Sequence, residues 1–268
     1  MHIHFLDPFQ ERSSPIHRLD ARVKFVLTIV FIFTVALTPH GAWPVYIILF
    51  SLVLAIEVLS EIGVGFVLKR ASLALPFVLA ALPVIFTLEG VILMRLPIGP
   101  WMLTIYQPGV ERFLSIALKS WISVQAAIVL ATSTPFPELL SAMRAVRIPR
   151  LLVAIFGLMW RYLFVLADET LRMIRARASR SGESDQPGFR KGGSLSWRAS
   201  VTGGMAGSLF LRASESSDRS YPATLLRGYN GEVRTQPLPK LNGFDWLILC
   251  LTLALLPALL SLALLFWG

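Results

Sequence analysis

The side chains able to do chemistry are few and scattered. His2 and His4 form a His-x-His pair, and imidazole is the usual nitrogen ligand for cobalt, nickel or zinc. At a polar chain end the pair is read as a frayed terminus, so no metal ligand is assigned. His17 and His40 stand singly at helix edges. The one cysteine, Cys250, lies in an apolar run, which leaves neither a disulfide framework nor a cysteine-based metal site. The chain also lacks G-x-x-x-x-G-K-[ST], H-E-x-x-H, Cys-x-x-Cys and G-x-S-x-G, the patterns that cradle phosphates, bind zinc or carry a nucleophile. No catalytic residue and no bound cofactor are therefore expected, and energy for any transport must come from another chain.

Two arginine clusters are the remaining candidates. One is Arg175-Ala176-Arg177-Ala178-Ser179-Arg180, the other Leu226-Arg227-Gly228-Tyr229. Each falls at the C-terminus of an expected helix, where the macrodipole favours a cation. Each could equally project a rigid, always-charged fork into an acidic groove of a cytoplasmic partner. The residues alone leave both readings open. Between the clusters, Gly203, Gly204, Ala206 and Gly207 concentrate small residues in a helix, at about 1 kcal/mol per glycine relative to alanine. A close helix crossing at Gly203, Gly204 and Gly207 would offset that cost, and such a crossing is expected.

The elements that position these residues follow from hydropathy. Hydrophobic residues make up 55% of the 268 and charged ones 15%, with a mean hydropathy of +0.66, so lipid is the solvent for much of the chain. A spanning helix needs about 20 mostly apolar residues. Five stretches are read as spans: about Val23 to Thr38, Trp43 to Leu59, Ala71 to Leu88, Phe113 to Ala131 and Phe244 to Phe266. Pro76 and Pro83 should kink the third, and Trp246 and Trp267 should anchor the last at the interfaces. The opening residues lack the basic-then-apolar arrangement of a cleaved leader, and none is expected to be removed.

The net charge of +9 would suggest nucleic acid in a soluble protein, but its placement fits a membrane protein. Arg12, Arg18, Arg22 and Lys24 precede the first span, Lys69 and Arg70 follow the second, and most of the rest lie between Arg144 and Lys240. The alternate loops, Pro39 to Pro44 and Glu89 to Arg112, hold only Arg95 and Arg112. The N-terminus is thus expected in the cytoplasm and the C-terminus outside.

The segment from Ser133 to Asn242 is too long for a loop and too charged to cross a bilayer. It is read as a short helix, about Pro137 to Val146, and two long ones, Arg150 to Arg180 and about Leu195 to Leu226. Ser181 to Ser194 reads as a flexible link and Gly228 as the left-handed stop of the second long helix. The apolar stretch Leu151 to Leu166 is expected to lie at the membrane interface or partly buried, because a sixth span would place basic residues outside. The expected organisation is all-α: membrane region 1–132 with four spans, a cytoplasmic domain 133–242 of two long crossing helices, and a C-terminal span 243–268.

These motifs together resemble a known family. His17-Arg18-Leu19-Asp20-Ala21-Arg22-Val23-Lys24, the Arg175 to Arg180 cluster, and Gly207-Ser208-Leu209-Phe210-Leu211-Arg212 continuing to Leu225-Leu226-Arg227-Gly228-Tyr229-Asn230-Gly231 are similar to the transmembrane coupling (T) subunit of energy-coupling factor transporters, cobalt-type CbiQ branch. The resemblance implies a non-catalytic subunit of the cell inner membrane with two coupling helices crossing in an X. It implies two cytoplasmic ATPase subunits that hold ATP, a separate substrate-capture membrane subunit, and cobalt as the transported ion, with nickel the nearest alternative. Ala176-Arg177-Ala178 matches the family's first Ala-Arg-small docking motif. Leu226-Arg227-Gly228 matches the second, with leucine in place of the usual alanine. The rival readings are a conventional ABC permease, which would need polar groups lining a pathway between spans, and a membrane enzyme, which would need convergent acid, base or metal-ligand groups.

Overall fold

The computed structural model describes residues 8–88, 90–98, 101–180, 194–229 and 241–267, excepting the side chains of 95–98 and 101–104. The His2/His4 pair, the link 181–193 and Asn230-Gly231 lie outside the described residues. The chain is a polytopic helical membrane protein whose described residues fall into two compact units. One draws on Met1–Val146 and Pro237–Gly268, the other on Arg147–Gln236.

The first unit opens with α1 (Pro15–Arg18), where Ser14 accepts from the His17 backbone N–H, and α2 (Ala21–Leu37), where the Asp20 carboxylate accepts from Arg22 N at 2.8 Å. These are N-caps that satisfy orphan donors at each helix start. α3 is Trp43–Leu59. The expected third span is broken rather than merely kinked: α4 (Val64–Ala71), a 3₁₀ turn at Ser72–Ala74, α5 (Leu75–Leu79) and α6 (Val84–Thr87) follow in sequence. Pro76 opens α5 and Pro83 precedes α6, positions where proline's missing N–H costs no helical bond.

The segment Glu89 to Arg112, expected as a loop, contains a β-hairpin instead. β1 (Ile92–Ile98) pairs antiparallel with β2 (Trp101–Tyr106), Ile98 opposite Trp101, with a bulge between Ile92 and Met94. The run is rich in β-branched and aromatic residues, which suit a pleated surface. α7 then begins at Gln107 rather than near Phe113 and runs to Ser133, and α8 (Phe136–Ala145) follows. α8 belongs with the membrane helices, packing on α2. The unit closes with α11 (Gly243–Trp267).

Among the described residues four segments are long and apolar enough to cross a membrane: Val64–Thr87, Gln107–Ser133, Arg150–Arg180 and Gly243–Trp267; Trp43–Leu59 is a shorter apolar helix. Phe31 and Val35 of α2, Leu49 and Val53 of α3, Ile122 of α7, and Leu256 and Ala263 of α11 form one buried cluster. Polar ties fix the order of packing. Lys24 Nζ donates to the Ser133 carbonyl at 3.0 Å, Lys119 Nζ to the Ala36 carbonyl at 3.2 Å, and Ser115 Oγ accepts from Gly41 N at 3.2 Å. α2 and α7 are therefore antiparallel. At Gly109 any Cβ would sit 2.6 Å from the Ile85 carbonyl oxygen, so α6 and α7 approach through that glycine.

Candidate coupling site

The second unit is built from α9 (Arg150–Arg180) and α10 (Leu195–Leu226), helices with the bounds the sequence predicts. Pro149 lies just before α9, and Ser194 caps α10 by accepting from Trp197 N at 3.2 Å. The two helices run antiparallel. Tyr162 donates to Ser220, Arg212 pairs with Glu169, Ser208 Oγ contacts Met173 Sδ at 3.4 Å, and Arg177 donates to Thr202 Oγ1 at 3.3 Å. As the number rises on one helix it falls on the other in step. The contact between Tyr162 and Arg177 extends over roughly 22 Å at 1.5 Å per residue.

This arrangement corrects the reading of the glycines. No heavy atom lies within 4 Å of a Cβ built on Gly203, Gly204 or Gly207. Gly203 and Gly207 do share a face, but at 100° per residue that face points away from Thr202, Ser208, Arg212 and Ser220. Within the chain, α10 meets α9 through side chains of ordinary size, so the backbones need no glycine to pack. Along α10 itself, Arg219 Nε donates to the Glu215 backbone carbonyl at 3.3 Å.

The two arginine motifs sit at opposite ends of the pair. Arg177 is half-buried, its guanidinium 5.9 Å from the Trp197 ring centroid and bonded to Thr202, while Ala176 and Ala178 flank it exposed. The indole face attracts the cation and holds the fork in one orientation. At the other end Leu226 is 90% exposed and Arg227 caps α10. Gly228 has a φ of +80°, the Gly228 N–H donates to the Leu225 carbonyl at 2.9 Å, and the Tyr229 N–H donates to the Thr224 carbonyl at 3.2 Å. That pair of bonds is a Schellman closure, which a glycine in the left-handed region forms without a Cβ penalty. Thr202 and Arg227 are about 37 Å apart along α10. Among the described residues no carboxylate pairs with Arg177 or Arg227.

Sequence reading missed the residues that set the helix register: Tyr162, Ser220, Glu169 and Arg212. Their signal is an antiparallel match across a long gap, which helical periodicity within either segment does not reveal. It also missed how deeply Glu57 of α3 and Gln125 of α7 are buried. Both are fully enclosed, and both Glu57 oxygens and both Gln125 amide atoms lack a hydrogen-bond partner. Among the described residues no cluster of three or more His, Cys, Asp or Glu could hold a metal.

Comparison with known proteins decides the family. The CbiQ family, described as cobalt transport protein, matches residues 12–237. The chain belongs to this family. It is 28% identical over 255 residues to the energy-coupling factor transporter transmembrane protein EcfT of Ruminiclostridium cellulolyticum, covering 90% of each chain. It is 32% identical over 149 residues to the cobalt transport protein CbiQ of Salmonella typhimurium, covering 50% of this chain and 66% of that one. An uncharacterised protein of Methanocaldococcus jannaschii is 26% identical over 234 residues, 86% of this chain and 76% of the other. Membership makes the chain a non-catalytic, multi-pass transmembrane subunit of a transporter.

Proposed function

We propose that this chain is the coupling subunit of an energy-coupling factor importer for cobalt ions. It passes ATP-driven motion from two cytoplasmic ATPase subunits to a separate substrate-capture membrane subunit. The observation that carries the reading is the placement of Ala176-Arg177-Ala178 and Leu226-Arg227-Gly228 at opposite ends of one antiparallel helix pair. Each end presents an arginine that no carboxylate in the described chain neutralises. The separation of about 37 Å along α10 gives each of two ATPases its own contact. Because α9 and α10 are tied together at four levels, a push at one end is transmitted along both helices rather than absorbed.

Cobalt as cargo rests on the names of the CbiQ relatives, and ATP is held by the partners. The N-terminus and the helix pair lie in the cytoplasm in this reading, supported by the basic residues that precede the first span and crowd 144–240. Buried Glu57 and Gln125 are polar groups of the kind a permease carrying its own substrate needs, yet each is sealed from solvent and a conducting path needs groups open to it.

ATP-dependent cobalt and nickel uptake by the assembled transporter tests the reading. Arg177→Glu and Arg227→Glu should each reduce cobalt uptake with membrane levels unchanged, because a desolvated charge that loses its partner commonly costs about 3–5 kcal/mol. Arg190→Glu, outside the described residues, is the control and should transport normally. Full uptake by both charge-reversed proteins would leave the arginines as helix-dipole residues only.

A further inference from the structure

The run from His17 to Lys24 takes no part in the coupling site, yet it ends in an unusual residue. Lys24, in the first turn of α2, is only 7% exposed. A lysine near a helix end can snorkel its ammonium to water, and an ammonium taken out of water is unfavourable unless other groups replace its hydration. Here the side chain is enclosed instead. Its Nζ donates to the Ser133 carbonyl at 3.0 Å and reaches the His17 carbonyl at 3.5 Å, while the carboxylates of Glu138 and Asp20 act on its charge.

These partners straddle a corner. Ser133 is the last residue of α7, Glu138 lies in the first turn of α8, and Thr134 and Pro135 between them are extended. The last carbonyls of a helix lack intrahelical donors. The Ser133 carbonyl takes the Lys24 ammonium and the Thr132 carbonyl takes the Gln10 N–H at 3.0 Å, so residues that precede or open α2 cap α7 twice. A cation at a helix C-terminus also meets the negative end of its dipole. α2, against which α8 packs, thus holds both sides of the corner through one side chain.

At α8 the chain also passes from the membrane unit into the helix pair. Residues 146–149 separate α8 from α9, whereas residues 227–242 separate α10 from α11. A link of n residues spans at most about 3.5 Å × n, so the shorter join pulls on α8 after a far smaller displacement of α9. Pro149 has a fixed φ and Arg147 sits at +63°, which leave this join little freedom.

We propose that Lys24 is a positioning residue for transport: by clamping the α7–α8 corner it makes α8 a lever that carries movement of the helix pair into the membrane helices. The proposal rests on the coupling reading above and adds the step that follows ATPase docking. With the clamp intact, a pull on α8 displaces α2 and α7 together. Without it the pull opens the corner and is lost there, so ATP is hydrolysed without transport.

Two measurements test the proposal on Lys24→Met, which keeps the reach of the side chain and removes its donors. In the full chain alone, amide hydrogen exchange of residues 134–145 should quicken about tenfold, as expected for loss of one charge-assisted bond, while α11 is unchanged. In the assembled transporter the number of bound ATPases should stay that of the unaltered complex, and the ATP hydrolysed per cobalt ion imported should rise about twofold or more. Lys24→Arg, which can still donate to the Ser133 carbonyl, should restore both values, and Lys69→Gln, at an exposed residue of α4, should change neither. Glu138→Gln, also at an exposed residue, decides the matter if Lys24→Met does not fold, with both changes in smaller measure. Exchange in α8 within about twofold of the unaltered chain would overturn the clamp. Uptake and hydrolysis that fall together at an unchanged ratio would mark a purely structural lysine and overturn the lever. A lack of ATP-driven uptake in the unaltered transporter would refute the coupling reading and the lever with it, whereas tight coupling in Lys24→Met beside a working unaltered transporter refutes the lever alone.

Discussion

At Gly228 and Arg147 the same backbone conformation is occupied by opposite residue types. Gly228 closes α10 at a φ of +80° and Arg147 follows α8 at +63°, a region that costs a residue with a Cβ roughly 1–2 kcal/mol. Gly228→Ala should therefore lower the Tm of the chain and loosen the presentation of Arg227, while Arg147→Gly should raise it; thermal melting in detergent reads both. His17 gives a pH dependence. Its Nε2 bonds the Gln10 carbonyl at 3.0 Å and its Nδ1 faces Ser14 Oγ at 2.7 Å, an arrangement satisfied by the neutral ring with its proton on Nε2. Burial chiefly holds its pKa below 6.5, with Lys24 and Arg12 adding to the shift and the Gln10 bond opposing it. A depressed histidine favours the fold fully above its unfolded value and loses that contribution as pH falls through the folded one. Melting temperatures should thus fall below about pH 6.5, and His17→Gln should flatten that limb. Gly228 was legible in the sequence because glycine after a helical run with arginine in its last turn has a local cause. The burial of Glu57 and Gln125 was not, since periodicity places neither against its neighbours.

Among the elements, α9 and α10 were legible in extent but not in pairing. Caps and composition mark Ser194, Leu226 and Gly228, yet which face of α10 meets α9 depends on Tyr162, Glu169, Met173 and Arg177, up to 58 residues from their partners. The small residues at 203–207 drew attention to the opposite face. A consequence is that Gly203→Ala should stabilise α10 by up to about 1 kcal/mol, and Gly203→Leu should leave folding of the chain intact because its Cβ meets open space. Reduced melting temperature in the leucine variant alone, without partners, would contradict the observed face. The Glu169–Arg212 pair, partly exposed, should contribute only about 0.2–1 kcal/mol in a double-mutant cycle. The hairpin of β1 and β2 escaped notice because its strands sit among apolar spans, where a short β-branched run is hard to separate from helix by periodicity.

For the molecule as a whole, composition and the placement of charge made the membrane class plain, and the family followed from ordered motifs rather than from any one of them. The broken third segment and the position of α8 with the membrane helices did not follow, because both are decided by packing on α2 and α7. Orientation is testable independently: a reporter after Gly268 should be periplasmic and one inserted at Gly188 cytoplasmic, and a cytoplasmic C-terminus would make Arg150–Arg180 a further span. The central claim is that the two ends of the helix pair engage two ATPase copies separately, through Arg177 and Arg227. Native mass spectrometry of the purified complex counts those copies directly. The account predicts two ATPases per chain in the unaltered protein, one with either Arg177→Glu or Arg227→Glu, and none with both. Two copies retained by the doubly reversed chain would contradict it.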